Sequence, residues 1–192
     1  MIHTQKIKDA IRFSIDVHEI VQKQKRKGKD IPYITHPLTV GLILASAGAG
    51  EDLIVAGILH DTVEDSPLEK KVTKEKLELA FGENVAELVV SVTEKDRALS
   101  WDEIKRKDIE HIKTLSRESL LLKSADVVAN TSELLDDYER EGEATFARFH
   151  VPKEKFLKMY INVMKEILKY SVKNPLKEDV KELLAHIRKL NR

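Results

Sequence analysis

Cysteine is absent from this 192-residue chain. With it go a disulfide scaffold, a cysteine-ligated zinc or iron–sulfur centre and a thiol nucleophile, so any bound metal must be held by His, Asp or Glu. Neither sign of charge dominates, because Lys+Arg and Asp+Glu both number 33. A dedicated nucleic-acid binder usually has a domain pI above about 9, so the balance argues against one and leaves room only for a local basic patch. Long apolar runs are missing too. The longest, Leu53–Leu59, is far short of the ~18–20 residues of a membrane span. The N-terminus, MIHTQKIKDAIRF, lacks the apolar stretch and small-residue cleavage site of a signal peptide. No membrane association and a cytoplasmic location are the expectations.

What is present has helical periodicity almost throughout. Ile7, Ile11, Ser14/Ile15 and His18 recur at steps of three and four, which predicts an amphipathic helix over 4–26, broken by Gly28 and Pro32. Two helices, 37–47 and 52–65, are apolar most of the way round, as befits the centre of a bundle. Thr73 caps a helix reaching Phe81, and 84–93 supplies another. Ser100 and Glu103 form a capping box ahead of a helix to Thr114. Ser116 opens 117–137, Pro152 begins a helix ending near Tyr170, and Asn174-Pro175 starts the last, 175–190. No segment alternates at period two for long enough to be a strand, and nothing resembles an interdomain linker. The expectation is an all-α single domain over 1–192, with a core at about 5–170 and a C-terminal helix at about 175–190. Apolar faces on the last two helices leave room for a homo-oligomer.

The histidines differ in context. His3, His111, His150 and His186 sit among charged or polar neighbours and read as exposed. His60 instead ends the apolar run LIVAGIL and is followed by Asp61, with Glu64 and Asp65 four residues beyond each. Three carboxylates so close repel one another unless a cation or bases lie among them. Imidazole with carboxylate suits manganese, iron or zinc better than calcium. His36, in PYITHP, starts a helix. Asp126 is acidic within the small and apolar stretch LLLKSADVVAN, with Lys123 three residues before it and Asn130 four after, on one face. KQKRKGK, Lys23–Lys29, is a basic cluster suited to phosphate, and the acidic run Glu133–Glu143 reads as a solvated face. Trp101 and Phe149 read as core.

The order His36, His60-Asp61, Asp126 resembles the H…HD…D signature of the HD-domain metal-dependent phosphohydrolases. The spacing from His36 to His60, the string HDTVED, and the stretches HEIVQKQKRKGKDIPYITHPL, FGENVAELVVSVT and WDEIKRKDIEHI are similar to the (p)ppGpp hydrolase domain of alarmone synthetase/hydrolases and small alarmone hydrolases. The resemblance implies an HD-domain helical bundle and an enzyme acting on a small-molecule nucleotide. It makes His36, His60, Asp61 and Asp126 ligands of a divalent metal, usually Mn2+. Glu64 and Asp65 match the acidic pair that activates water, Arg26 and Lys27 the basic pair that meets the guanine base and phosphate, and Lys123 and Asn130 positions that hold substrate. The implied reaction is hydrolysis of the 3′-ester of guanosine-3′,5′-bis(diphosphate) (ppGpp) with release of pyrophosphate. One departure stands out: the family's helix reads L-A-D-[R/K]-L-H-N, whereas this chain has Val127 and Ala129 at the basic and histidine positions. An HD nucleotidase for another phosphate ester, and a non-catalytic nucleotide-binding module, stay open as alternatives.

Overall fold

The computed structural model describes residues 4–94, 99–170 and 173–191. Among the described residues the regular elements are all helical, and the one β-type pairing is an isolated bridge between Lys25 and Pro32. The expected all-α class is the one observed. The chain divides into two compact units, Met1–Glu94 and Lys95–Arg192.

In the first unit, Thr4 caps α1 (Gln5–Ile15) by accepting from the Ile7 N–H at 3.3 Å. The helix does not run to 26 as the periodicity predicts. It widens into π turns over Asp16–Val21, and Lys23 then takes a left-handed φ of 51°. The reason lies in the backbone donors beyond: Gln24 N–H bonds to the His18 carbonyl at 2.8 Å, Arg26 N–H to Ile31 at 2.9 Å, and Tyr33 N–H to the Gln24 carbonyl at 2.8 Å. A folded-back loop thus takes the groups that a longer helix would need.

The chain then enters α2 (Thr35–Ser46) and α3 (Glu51–Leu59). Leu53 to Leu59 are buried without exception, because α3 packs against α1, α2 and α6 (Glu83–Val92). The α2–α3 contact is close. A β-carbon on Gly57 would fall 2.5 Å from Leu44 Cδ1, and one on Gly41 2.7 Å from Ile58 Cγ1, so neither position has room for a larger residue unless its neighbour shifts. Where the sequence predicts one helix over 52–65, the structure breaks it at His60-Asp61 and resumes in the short α4 (Thr62–Asp65). Two side chains explain the break. His60 Nδ1 bonds to the Gly57 carbonyl at 2.8 Å and Thr62 Oγ1 to the Leu59 carbonyl at 2.7 Å, taking acceptors that helix continuation would have used. Thr73 caps α5 (Lys74–Phe81) as expected, through the Lys76 N–H, and Gly82, at φ 91°, makes the turn into α6.

The second unit is built on a long helix. Ser100 and Glu103 form the expected capping box of α7 (Trp101–Ile112), and Ser116 caps α8 (Arg117–Glu141), which runs four residues beyond the predicted 137. Gly142 ends it, a 3-10 segment Gly142–Arg148 follows, and α9 (Lys153–Tyr170) and α10 (Lys177–Leu190) pack on it and on each other. The last helix starts two residues later than predicted, because Asn174 Oδ1 accepts from Leu176 N–H at 2.9 Å while its amide reaches Ser124 Oγ at 2.7 Å. Leu122, Leu157, Met164, Ile167 and Ile187 fill the core.

Two expectations are corrected here. The acidic run is not wholly solvated: Asp137 is buried, paired with Arg140 and, at 3.0 Å, with Arg148, which also bonds Glu141 and the Thr145 carbonyl at 2.9 Å each. The apolar faces of α9 and α10 are spent inside the unit; among the described residues, Tyr170 is their one large apolar side chain counted as exposed. No described helix is long and apolar enough to cross a membrane.

Candidate active site

The break between α3 and α4 sets the site of the first unit. A carbonyl oxygen only accepts, so the bond to Gly57 places the proton of His60 on Nδ1 and the lone pair on Nε2. That Nε2 lies 3.1 Å from Asp61 Oδ2, and His36 Nε2 lies 3.7 Å from the same oxygen. The imidazole rings meet edge to face, centroids 5.2 Å apart, and the two residues are only 4% and 5% exposed. Tyr33 donates its hydroxyl to Asp61 Oδ2 at 2.6 Å. Burial, and then the Asp61 and Asp65 charges, push the Tyr33 phenol far above its usual range, so it remains a donor. A ring nitrogen and a carboxylate oxygen facing each other are two acceptors, and a cation relieves the pair. Two imidazoles and a carboxylate, with one ring oriented by a backbone carbonyl, fit a divalent ion of the manganese–iron–zinc kind.

Glu64 and Asp65 sit on α4, just beyond. Burial first, then the charges of Glu94 and Asp61, raises the Glu64 carboxyl, against the pull of the Glu94 N–H at 3.2 Å. A shift in that direction makes the carboxylate a better proton acceptor. Asp65 Oδ2 accepts from Gln24 Nε2 at 2.9 Å. Lys71 closes the end of α4 by donating to the carbonyls of Val63 at 2.6 Å and Ser66 at 3.3 Å. In the basic cluster, Arg26 is half-buried with its guanidinium 5.4 Å from the Tyr33 ring centre, Lys27 is exposed, and Lys25 pairs with Asp30.

Asp126 belongs to the second unit, on α8. Lys123 Nζ donates to its Oδ2 at 2.9 Å and Asn130 Nδ2 to its Oδ1 at 2.6 Å, which is the shared face that the spacing predicts. Val127 and Ala129 point inward, 4% and 6% exposed. Between α7 and α9 runs an open groove of about 560 Å³, with Trp101, Lys105, Arg106, Lys155, Lys158 and Met159 in its walls. Lys155 lies 5.1 Å from the Trp101 ring centre and bonds Asp102 at 2.6 Å. Trp101 is thus a groove wall rather than core, and Phe149, half-buried, stacks on Phe156 with ring centres 4.0 Å apart. His111, His150 and His186 are exposed as expected, while His3 lies outside the described residues.

Periodicity placed His18 on the apolar face of the first helix without giving it a part in the site, and it did not single out Gln24, Tyr33 or Lys71. The first three lie within the motif-bearing stretch around PYITHP, but nothing in their spacing says which carboxylate each one meets.

A model of the HD domain family matches residues 10–150. The chain belongs to the HD-domain family. That is the phosphohydrolase family its H…HD…D order resembles, and the HD-domain bundle expected from that order is the fold observed. Enzymes of this kind work with a divalent metal, and in the first unit His36 and His60 each offer a ring nitrogen as a ligand atom. The HD-domain chain is 38% identical over 130 residues to guanosine-3′,5′-bis(diphosphate) 3′-pyrophosphohydrolase MESH1 of Xenopus tropicalis, covering 67% of this chain and 69% of that one. It is 43% identical over 91 residues to the enzyme of the same activity name in Aquifex aeolicus, where the match covers 47% of this chain and 12% of the relative. Among solved structures, one described as a metazoan ortholog of SpoT that hydrolyzes ppGpp superposes with a TM-score of 0.77 over 97% of both chains, at 23% identity, a likeness of fold. A protein of Listeria monocytogenes EGD-e matches at 31% identity and TM-score 0.69, over 80% of this chain and 99% of that one.

Proposed function

We propose that this HD-domain protein hydrolyses the 3′-ester of ppGpp, releasing pyrophosphate, with one divalent ion, Mn2+, held by His36, His60, Asp61 and Asp126. The observation that carries the reading is the His60-Asp61 turn, where two buried imidazoles converge on one carboxylate oxygen. The activity names of the relatives support the substrate. The family match runs through the division between the two units, which supports one HD domain made of both.

A bound divalent ion supplies an acidified water and neutralises phosphate charge. The chain's own groups do the rest. Glu64, with its raised carboxyl, takes the proton of the attacking water, and Asp65 orients that water toward phosphorus. Lys123 and Asn130 hold Asp126 and offer donors to a phosphate oxygen, and Arg26 and Lys27 meet the base and phosphate from the loop before α2. The enzyme works in the cytoplasm on a free nucleotide, without nucleic acid, and self-association is left to its solution mass. A second reading, an HD nucleotidase for another phosphate ester, rests on the buried Val127 and Ala129, which leave α8 without the family's basic residue and histidine.

Product analysis with Mn2+ tests both. Pyrophosphate from ppGpp, lost in Glu64→Ala, is the expected result. Orthophosphate or pyrophosphate from a different nucleotide, with ppGpp untouched, transfers the site to the second reading. Tight metal binding with no turnover of any nucleotide overturns both in favour of a binding module.

A further inference from the structure

Behind Asp65 stands a chain of hydrogen bonds that reaches back into the core of the first unit. His18 is fully buried on the π turns, and its Nδ1 lies 2.7 Å from Gln24 Oε1. At the other end of the same amide, Gln24 Nε2 lies 2.9 Å from Asp65 Oδ2. The direction of both bonds follows from chemistry. The Asp65 carboxylate only accepts, so the amide must present its NH2 there and its carbonyl oxygen to His18. That oxygen also only accepts, so His18 must carry its proton on Nδ1. His18 Nε2 agrees: it is buried with no hydrogen-bond partner among the described residues, a place that tolerates a lone pair better than an N–H.

We propose that Gln24 is the positioning residue of Asp65, and that His18, as the Nδ1–H tautomer, locks the Gln24 amide in the one orientation able to hold that carboxylate. The inference rests on the water-orienting role given above to Asp65. The backbone makes Gln24 a fixed point, since its N–H is bonded to the His18 carbonyl and its own carbonyl to the Tyr33 N–H, 2.8 Å each. The π turns matter because a wider helix turn sets His18 where its ring reaches both Gln24 and Tyr33, whose ring centre is 5.0 Å away. Tyr33 in turn bonds Asp61. One wall, built from the end of the first helix and the loop after it and backed by the buried His18, therefore orients both Asp61 and Asp65.

The test combines spectroscopy with kinetics. Long-range 15N–1H correlation on the wild-type protein is expected to show His18 protonated on Nδ1, with a hydrogen-bonded proton that disappears in Gln24→Met. With ppGpp and Mn2+, Gln24→Met is expected to lower kcat by about 10–100-fold with KM within about twofold, the loss usual when a hydrogen-bonding support of a catalytic ligand is removed. His18→Leu should act in the same direction, and His18→Asn, whose amide NH2 stands where Nδ1–H stood, should recover most of that loss. On an Asp65→Asn background, Gln24→Met should cost nothing further. A His18 protonated on Nε2 overturns the proposal. So does a Gln24→Met variant with unchanged kcat while Asp65→Asn is inactive, or equal losses in His18→Leu and His18→Asn. The tautomer measurement needs no substrate, so it decides this inference even where ppGpp proves to be the wrong nucleotide; full activity of Asp65→Asn would instead overturn the role given to Asp65.

Discussion

The two units hold the acidic residues proposed for the site in different ways. In the first, Asp61 and Asp65 are oriented from outside their own element, by Tyr33 and Gln24, residues 28 and 41 positions away in sequence. In the second, Asp126 is held by Lys123 and Asn130, its neighbours one helical turn to either side. A helix supplies the second arrangement wherever the right residues stand at steps of three and four. The first exists only after α1 has widened into its π turns and the following loop has folded back. A carboxylate held from its own helix can be read from the letters, and one held from elsewhere cannot.

The strongest way to break this comparison is to ask whether the two arrangements serve one ion. If they do, His60→Ala and Asp126→Ala each abolish tight metal binding, measured by metal analysis after gel filtration. Each should also cut hydrolysis on the order of a thousandfold, matching the several kcal/mol of transition-state stabilisation a metal supplies. Asp126→Ala with full metal content and rate would separate the halves.

A smaller effect concerns how each unit is stabilised. Asp137 is the second unit's own buried acid, and Asp137→Ala leaves Arg148, itself nearly buried, to Glu141, the Thr145 carbonyl and the Phe149 ring. Breaking a buried pair from one side costs about 3–5 kcal/mol, and the remaining partners put this one near about 3. Urea denaturation should show the loss. A shift within about 0.5 kcal/mol of wild type, the scatter of ordinary surface changes, would return Asp137 to the solvated face first expected of it.

The smallest effect belongs to the exposed rim of the first unit. Asp52 is held below the usual carboxylate value of 3.8 by Lys6 first and the Asn84 amide second, tying α3 to α1 and α6. A depressed carboxyl stabilises the fold above its unfolded pKa, and that contribution is lost as pH falls through the lower folded value. Exposure limits it to about a few tenths of a kcal/mol. Asp52→Asn should therefore be less stable than wild type at pH 7 and indistinguishable from it near pH 2, and a gap that persists in acid would assign the effect to packing instead.

The sequence by itself determined the all-α class, most helix starts and the H…HD…D order. Caps and periodicity are local physics: Thr73, Ser100 and Ser116 act on amides three residues on, and Leu53–Leu59 is apolar wherever it packs. Tertiary structure decided the rest. Side-chain bonds from His60 and Thr62 to carbonyls three residues back, and not any Gly or Pro, split the predicted helix 52–65, but it is Tyr33, 28 residues away, that meets Asp61 at that turn. The first helix ended early because residues 24–33 paired among themselves. Asp137 went inside because Arg148, eleven residues on, was there to meet it. Gln24 came to meet Asp65 and Tyr33 to meet Asp61 through contacts that no helical period describes, since a hydrogen bond between distant residues depends on where the backbone finally runs.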